Sequence, residues 1–144
     1  MRLTLLLVTA LVVPGLAAAQ KPLPTSVMVG LDSLRSGNCE AAFRIWTFAW
    51  NTPADAAKRQ ELMTSCTTLA QMGTFFGYDI VRTVPVGPNV LRIYVVLRYE
   101  AEPVYLLLVA YRPYTTWKVT GVFWNTNPDK LFSPNLLSHD TAGP

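Results

Sequence analysis

The sequence predicts an α+β fold in which about three N-terminal helices pack on a four-stranded antiparallel meander sheet. Up to about residue 72, apolar residues recur at three- and four-residue spacings, which is typical of helices with one buried side. From residue 73 the spacing changes to two, the period of a strand. Residues 90–125 hold three β-prone apolar segments separated by two turn signals, so consecutive strands are expected to pair.

Length and composition indicate one folded domain. The chain has 144 residues, of which 51% are hydrophobic and 15% charged, and this balance excludes a disordered protein. The domain is expected to span residues 20–132, followed by a polar tail over residues 133–144. Without Arg2, 11 basic side chains stand against 9 acidic ones and are scattered singly, so no nucleic-acid-binding surface is predicted.

Residues 1–19 have the build of a secretory signal peptide. Arg2 precedes an apolar run over residues 3–13, a Pro14-Gly15 break and three alanines at 17–19. The run is shorter than the roughly 20 residues that a membrane-spanning helix needs. We therefore expect removal of this segment, export to the periplasm or the medium, and no membrane span in the remaining chain.

Cap residues divide the helical half into three helices. The expected N-caps are Thr25 or Ser26, Asn38 and Thr52. Gly37 is expected to end the first helix in the left-handed conformation, and Pro53 occupies the first position of the third, which runs to about residue 72. The expected apolar stripe of the second helix is Cys39, Ala42, Phe43, Trp46, Ala49 and Trp50.

The two cysteines, Cys39 and Cys66, lie twelve residues on either side of the turn between the second and third helices. In antiparallel helices each is then about 18 Å from the turn, so the two should lie side by side. A disulfide is expected because exported compartments are oxidising. The alternatives are a pair of buried free thiols or a metal site, and a structural zinc would need four ligands that this region does not offer. No metal and no cofactor are predicted.

The strand periodicity assigns faces to the sheet. In the first strand Phe76, Tyr78, Ile80 and Val84 are expected to share one face. The expected inward residues of the other strands are Leu91, Ile93, Val95, Leu97 and Tyr99, then Leu106, Leu108 and Ala110, then Trp117, Val119, Gly121 and Phe123. The third strand is apolar on both sides, so its outward side chains form a second apolar face.

This outward face is the predicted interaction site. Its expected residues are Arg92, Tyr94, Arg98, Tyr105, Leu107, Val109, Tyr111, Lys118 and Trp124, with Val96, Thr120 and Val122 among them. Large apolar patches usually mark contact sites, and Tyr, Trp and Arg are enriched at interfaces. The expected partner is a second copy or another exported protein. Alternatively, residues 131–137 fold back over the face. The side chains of Arg92, Arg98 and Lys118 either stack on the aromatic rings or cover apolar surface with their aliphatic parts.

Catalytic chemistry has few candidates. The best candidate is Asp79, which lies beside Tyr78 in the sequence and could act as a general base. Such a base would suit a pocket between helices and sheet that binds a small ligand, as in a lyase or an isomerase. The alternative is an ordinary surface aspartate on an edge strand. His139, the one histidine, lies in the tail, and the serines and threonines have no adjacent base, so an enzyme is the less favoured interpretation.

Helices followed by a meander that ends in TTWKVTGVFWNTNPDKLF, from Thr115 to Phe132, resemble the nuclear transport factor two-like superfamily of cone-shaped α+β domains. The resemblance covers roughly residues 26–132. It implies a curved sheet around helices, a pocket between them and frequent dimerisation through the sheet, but not a particular activity. Residues 34–46, LRSGNCEAAFRIW, are similar to part of one tetratricopeptide-type repeat, of which the chain has a single copy.

Overall fold

A computed structural model describes residues 22–134 and confirms the predicted α+β fold. The helices are α1 (Thr25–Arg35), α2 (Cys39–Trp46) and α3 (Pro53–Ala70). The strands are β1 (Phe75–Pro85), β2 (Val90–Tyr99), β3 (Pro103–Tyr111) and β4 (Lys118–Asn125), followed by a 3₁₀ turn at Pro128–Lys130. The strands form one antiparallel sheet in the order β1-β2-β3-β4, so each strand pairs with its neighbour in sequence. No helix in this part of the chain is both long and apolar enough to cross a membrane.

Two of the three predicted helix caps are present. The side chain of Asn38 accepts a hydrogen bond from the amide of Ala41. Thr52 and Asp55 bond each other's backbone amides in a capping box, and these bonds lower the pKa of Asp55. The prediction for α1 is wrong, because Pro24 occupies its N-cap position and no side chain caps it.

The second helix ends earlier than its apolar stripe predicts. It stops at Trp46, and the hydroxyl of Thr47 donates to the carbonyl of Phe43. Trp50 therefore lies in the loop between α2 and α3, where its indole N–H donates to the backbone carbonyl of Val119 at 3.1 Å. The loop is thus attached to β4 through this bond.

Gly30 lets α1 and α2 approach closely. A methyl group at this position would lie 2.1 Å from Nε1 of Trp46, so no larger residue fits unless the indole moves. The indole N–H points at the carbonyl of Val27, 3.4 Å away, and Trp46 is only 1% exposed. The two helices are therefore packed against each other by a buried tryptophan.

The predicted disulfide between Cys39 and Cys66 is confirmed, with the two Cα atoms 5.7 Å apart. It joins the start of α2 to the last turns of α3. The buried apolar residues of α3 are Leu62 and Leu69, and Arg59 donates to the carbonyls of Thr47 and Trp50. Because α3 buries so few side chains, the disulfide is a main attachment of this helix.

The inner face of the sheet packs against the helices and forms the core. Leu91, Ile93, Val95 and Leu97 of β2 pair with Ala110, Leu108, Leu106 and Val104 of β3, and all eight are buried. The inward orientation predicted for Leu106, Leu108 and Ala110 is therefore confirmed.

Bulges change the predicted faces of both edge strands. In β1 they fall at Phe76 and Val81, so that Thr83 pairs with the inward Ile93 while Val84 pairs with the outward Arg92. The prediction that Phe76 and Val84 share one face with Tyr78 and Ile80 is wrong for this reason. Phe76 is 60% exposed. A bulge adds one residue to a strand and so reverses the alternation beyond it.

Candidate functional site on the outer sheet face

The outer face is the side of the sheet that points away from the helices. At its centre β3 presents Tyr105, Leu107, Val109 and Tyr111. The neighbouring residues of β2 are fixed by the register, in which Arg92 pairs with Val109, Tyr94 with Leu107, Val96 with Tyr105 and Arg98 with Pro103. The regular alternation of these two central strands brings together seven of the nine predicted interface residues.

One end of this face is covered by the chain itself. After β4, the 3₁₀ turn returns the backbone over the sheet, and Phe132 places its ring 5.2 Å from those of Tyr94 and Tyr105, edge-on to both. Phe132 is 1% exposed and Tyr94 is 5% exposed, so an outward-facing tyrosine is buried. The alternative in which residues 131–137 cover the face therefore holds for Phe132, near the start of that segment. Residues 135–137 lie outside the described part of the chain.

The rest of the face stays accessible. Phe123 is 45% exposed and Tyr111 is 38% exposed, and between them Leu107 and Val109 are half-buried. A methyl group on Gly121 would lie 2.8 Å from the Phe123 ring, which therefore lies across the glycine. We call this region the open outer patch, and its residues are Arg92, Leu107, Val109, Tyr111, Lys118, Gly121 and Phe123.

Trp124 is not part of the patch, and its predicted outward position is wrong. Val109 pairs with Gly121 and Ala110 with Val119, so Thr120 forms a bulge in β4. Beyond it the alternation is reversed. Trp124 pairs with the inward Leu106 and packs against the core. Val122 is likewise inward, whereas Phe123, predicted to be inward, faces out.

Positive charge dominates the outer face. Its strand residues include the cations Arg82, Arg92, Arg98 and Lys118. Asp79 is the one carboxylate among the outward strand residues of the described chain, and it forms an ion pair with Arg98 at 3.1 Å. Arg92 on β2 and Lys118 on β4 are both exposed and form the margin of the open outer patch. The patch is therefore apolar with a basic margin.

Stacking of Arg92, Arg98 and Lys118 on outer-face rings, one of the two alternatives for these cations, has no counterpart among the contacts of the described chain. The cation-aromatic contacts that it does contain join Arg35 to Tyr78, at 4.8 Å, and Arg112 to Trp117, at 5.0 Å. Arg35 lies on α1 and Arg112 in the turn after β3. Both contacts therefore lie outside the open outer patch.

The two candidate catalytic residues lie on opposite faces of β1. Asp79 pairs with the outward Val96, whereas Tyr78 pairs with the inward Leu97. The Tyr78 hydroxyl is 3.5 Å from the carboxylate of Asp32 on α1, and the Arg35 guanidinium lies over its ring. Asp79 is exposed and paired with Arg98, so the two side chains form no common acid-base site. His139 lies outside the described residues.

At the centre of the domain, side chains fill the space between the helices and the sheet. Trp46, Phe43 and Leu31 meet the inner face of the sheet in one continuous core. Trp117 and Trp50 pack against this core from its edge. Within residues 22–134 no cluster of three or more His, Cys, Asp or Glu side chains could hold a metal ion.

No protein-family model, no curated protein and no solved structure matches this chain. The resemblance to the nuclear transport factor two-like superfamily therefore stays a prediction.

Proposed function

We propose that this protein is an exported binding module that holds a partner protein on its open outer patch. The observation that carries the proposal is the contiguous accessible surface of Phe123, Tyr111, Leu107 and Val109 on a sheet whose other face forms the core. Soluble domains normally place polar side chains on the face of an antiparallel sheet that points to water. An aromatic and aliphatic patch at that place is characteristic of a contact site.

The charge on the face decides between the two kinds of partner. In a face-to-face dimer, two copies of the patch would bring Arg92 and Lys118 of one chain close to the same cations of the other. The only carboxylate on the outward strand positions of residues 22–134 is Asp79, and it is already paired with Arg98. Like charges placed opposite each other oppose association. The preferred partner is therefore a different protein, with apolar side chains and acidic groups around them.

Export is supported by two independent features. The disulfide between Cys39 and Cys66 suits an oxidising compartment, because such bonds rarely persist in the cytosol. The pattern of residues 1–19 is that of a cleavable secretory signal. The partner is accordingly expected in the periplasm or the medium.

Site-specific photo-cross-linking in cells that export the chain tests the proposal. A benzophenone amino acid replaces Phe123 in one variant and Phe76, a still more exposed phenylalanine on the bulge of β1, in the control. We expect a discrete heavier adduct from position 123 and none of that mass from position 76. Combining Arg92→Glu and Lys118→Glu with the cross-linker should lower its yield about tenfold, because charges around an interface set the rate of association.

Three outcomes would contradict this. Identical adducts from both positions would indicate non-specific contact, and the absence of any adduct would leave the patch without a partner. Sedimentation of the purified chain is expected to give a monomer. A dimer that Leu107→Glu dissociates would instead show that the partner is a second copy.

A further inference from the structure

A cavity of about 290 Å³ lies at the end of the domain where β1 starts and β2 ends. It is on the inner side of the sheet, so it is separate from the open outer patch. Leu34 at the end of α1 and Leu69 near the end of α3 form its apolar base, and both are buried. The binding of a partner protein described above neither requires nor excludes this cavity.

Two aromatic rings form one wall. Phe75 and Tyr99 are paired across β1 and β2, with their ring centroids 5.0 Å apart and their planes tilted by 45°. The Tyr99 hydroxyl is protonated at neutral pH, as in any tyrosine, and burial raises its pKa further. The wall therefore offers flat apolar surface together with one hydroxyl that can donate or accept a hydrogen bond.

The disulfide forms another part of the lining. Cys39 and Cys66 both line the cavity and fix the start of α2 to the end of α3. Because this link is covalent, the helices cannot separate or slide far at this point. This part of the lining is therefore pre-formed, and a ligand would not have to order it on binding.

Small residues surround the opening. Gly37 and Gly73 have φ angles of +77° and +83°, which favour glycine, and Ala70 is exposed on the last turn of α3. A methyl group on Gly37 would meet no atom within 4 Å, so the space beside it is open. Access to the cavity is therefore open beside Gly37, whereas at Gly73 the Glu100 carboxylate lies close by, 2.9 Å from where a methyl group would stand.

From these features we infer that the cavity binds a small uncharged aromatic molecule with one hydrogen-bonding group. No charged side chain lines the cavity, so an ionic ligand would lose its hydration without gaining a counter-ion. At the roughly 30 Å³ that a water molecule occupies in the liquid, the volume corresponds to about ten non-hydrogen atoms. Such a ligand can lie against the Phe75 and Tyr99 rings and bond to the Tyr99 hydroxyl.

Benzamide and benzoate are a matched pair of probes, since they are equal in size and differ in charge. Each is titrated into the oxidised, isotope-labelled chain up to about 10 mM, a range suited to weak fragment affinities. Benzamide is expected to cause saturable chemical-shift changes in the amide signals of Gly37, Cys66 and Gly73. Benzoate is expected to bind about tenfold more weakly or not at all, because its charge would be desolvated.

Two variants locate the site. Ala70→Leu fills the opening and should weaken benzamide binding about tenfold or more, whereas Ala57→Leu, an equally exposed position on α3 away from the cavity, should leave it unchanged. Tyr99→Phe should weaken binding about fivefold, the effect of one lost hydrogen bond. The inference is overturned if benzamide gives no saturable shifts in the unaltered chain, if benzoate binds equally well, or if Ala70→Leu and Ala57→Leu behave alike.

Discussion

The two faces of β3 carry similar side chains but have different surroundings. Leu106 and Leu108 point inward and are 1% and 0% exposed, because α1 and α2 pack against that side of the sheet. Leu107 lies between them in sequence, points outward and is only half-buried. On the outward side the described chain has only a short C-terminal segment as cover, and this segment contacts Tyr94 and Tyr105.

The inner face of the sheet stabilises the fold, whereas most of the outer face is free to bind another molecule. Helices of the same chain pack on the inner face. In the described chain the outer face is covered only where Phe132 contacts Tyr94 and Tyr105. The apolar side chains left over are too extensive to be explained by the alternation of a solvent-facing strand. An apolar surface that contributes little to the stability of the isolated domain is available for contact with another molecule.

The sharpest test of this difference uses neighbouring leucines of β3. Leu108→Ala should lower the free energy of unfolding by about 2 to 5 kcal/mol, because it leaves a cavity in a filled core. Leu107→Ala should cost less, about 1 kcal/mol, since part of its surface is already in water and its loss leaves a space open to solvent rather than an enclosed cavity. Urea unfolding of the oxidised chain measures both. Equal costs would mean that the outer face is as buried in solution as the inner one.

The cover at the end of the outer face can be removed separately. Phe132→Ala should cost about 1.5 to 3 kcal/mol, the value of burying one such ring, and should make Tyr94 and Tyr105 more reactive toward N-acetylimidazole. Phe123→Ala, which removes an exposed ring from the same face, should cost less than about 1 kcal/mol. If Phe132→Ala changes neither stability nor tyrosine reactivity, Phe132 does not pack on the face as described.

Substitution of two glycines, Gly30 and Gly121, by alanine compares how tightly two aromatic rings are packed. Gly30→Ala places a methyl group against the buried ring of Trp46 and should cost about 1 to 3 kcal/mol, although alanine is the better helix former. Gly121→Ala meets the ring of Phe123, which is exposed and can turn aside, and approaches Cβ of Val109 to 3.3 Å, a milder crowding, so the change should stay within about 1 kcal/mol. Thermal unfolding of the two variants gives the comparison. A larger loss from Gly121→Ala would show that Phe123 is held in place.

Much of this arrangement follows from sequence patterns. Regular alternation correctly assigns the faces of β2 and β3, and the spacing of Cys39 and Cys66 from one turn predicts the disulfide. The side-chain alternation does not predict the three bulges at Phe76, Val81 and Thr120. A bulge is a choice of backbone pairing, and the side-chain pattern of β4 is compatible with either register because both of its faces hold apolar residues.

Because the bulge in β4 is not predicted, the predicted residues of the outer face differ from those that the structure places there. The bulge at Thr120 exchanges Trp124 for Phe123 on the outer face, while Lys118, which precedes it, keeps its predicted side. The contact of Phe132 with Tyr94 and Tyr105 depends on the path of the chain after β4, which no periodicity specifies. Local patterns thus determine the central strands, and tertiary contacts determine the edges.

The smallest expected effect concerns the one carboxylate on the outward strand positions of the described chain. The side chains of Asp79 and Arg98 are 63% and 53% exposed, so water and salt screen their attraction, and Asp79→Asn should change stability by about 0 to 1 kcal/mol. The same substitution makes the basic face more positive by one charge. If an acidic partner binds there, Asp79→Asn should raise the yield of the cross-link from position 123, and Arg98→Gln, its matched counterpart, should lower it. Equal changes would mean that charge on this face does not select the partner, even if the apolar patch binds one, and reversed changes would mean that the partner is basic rather than acidic.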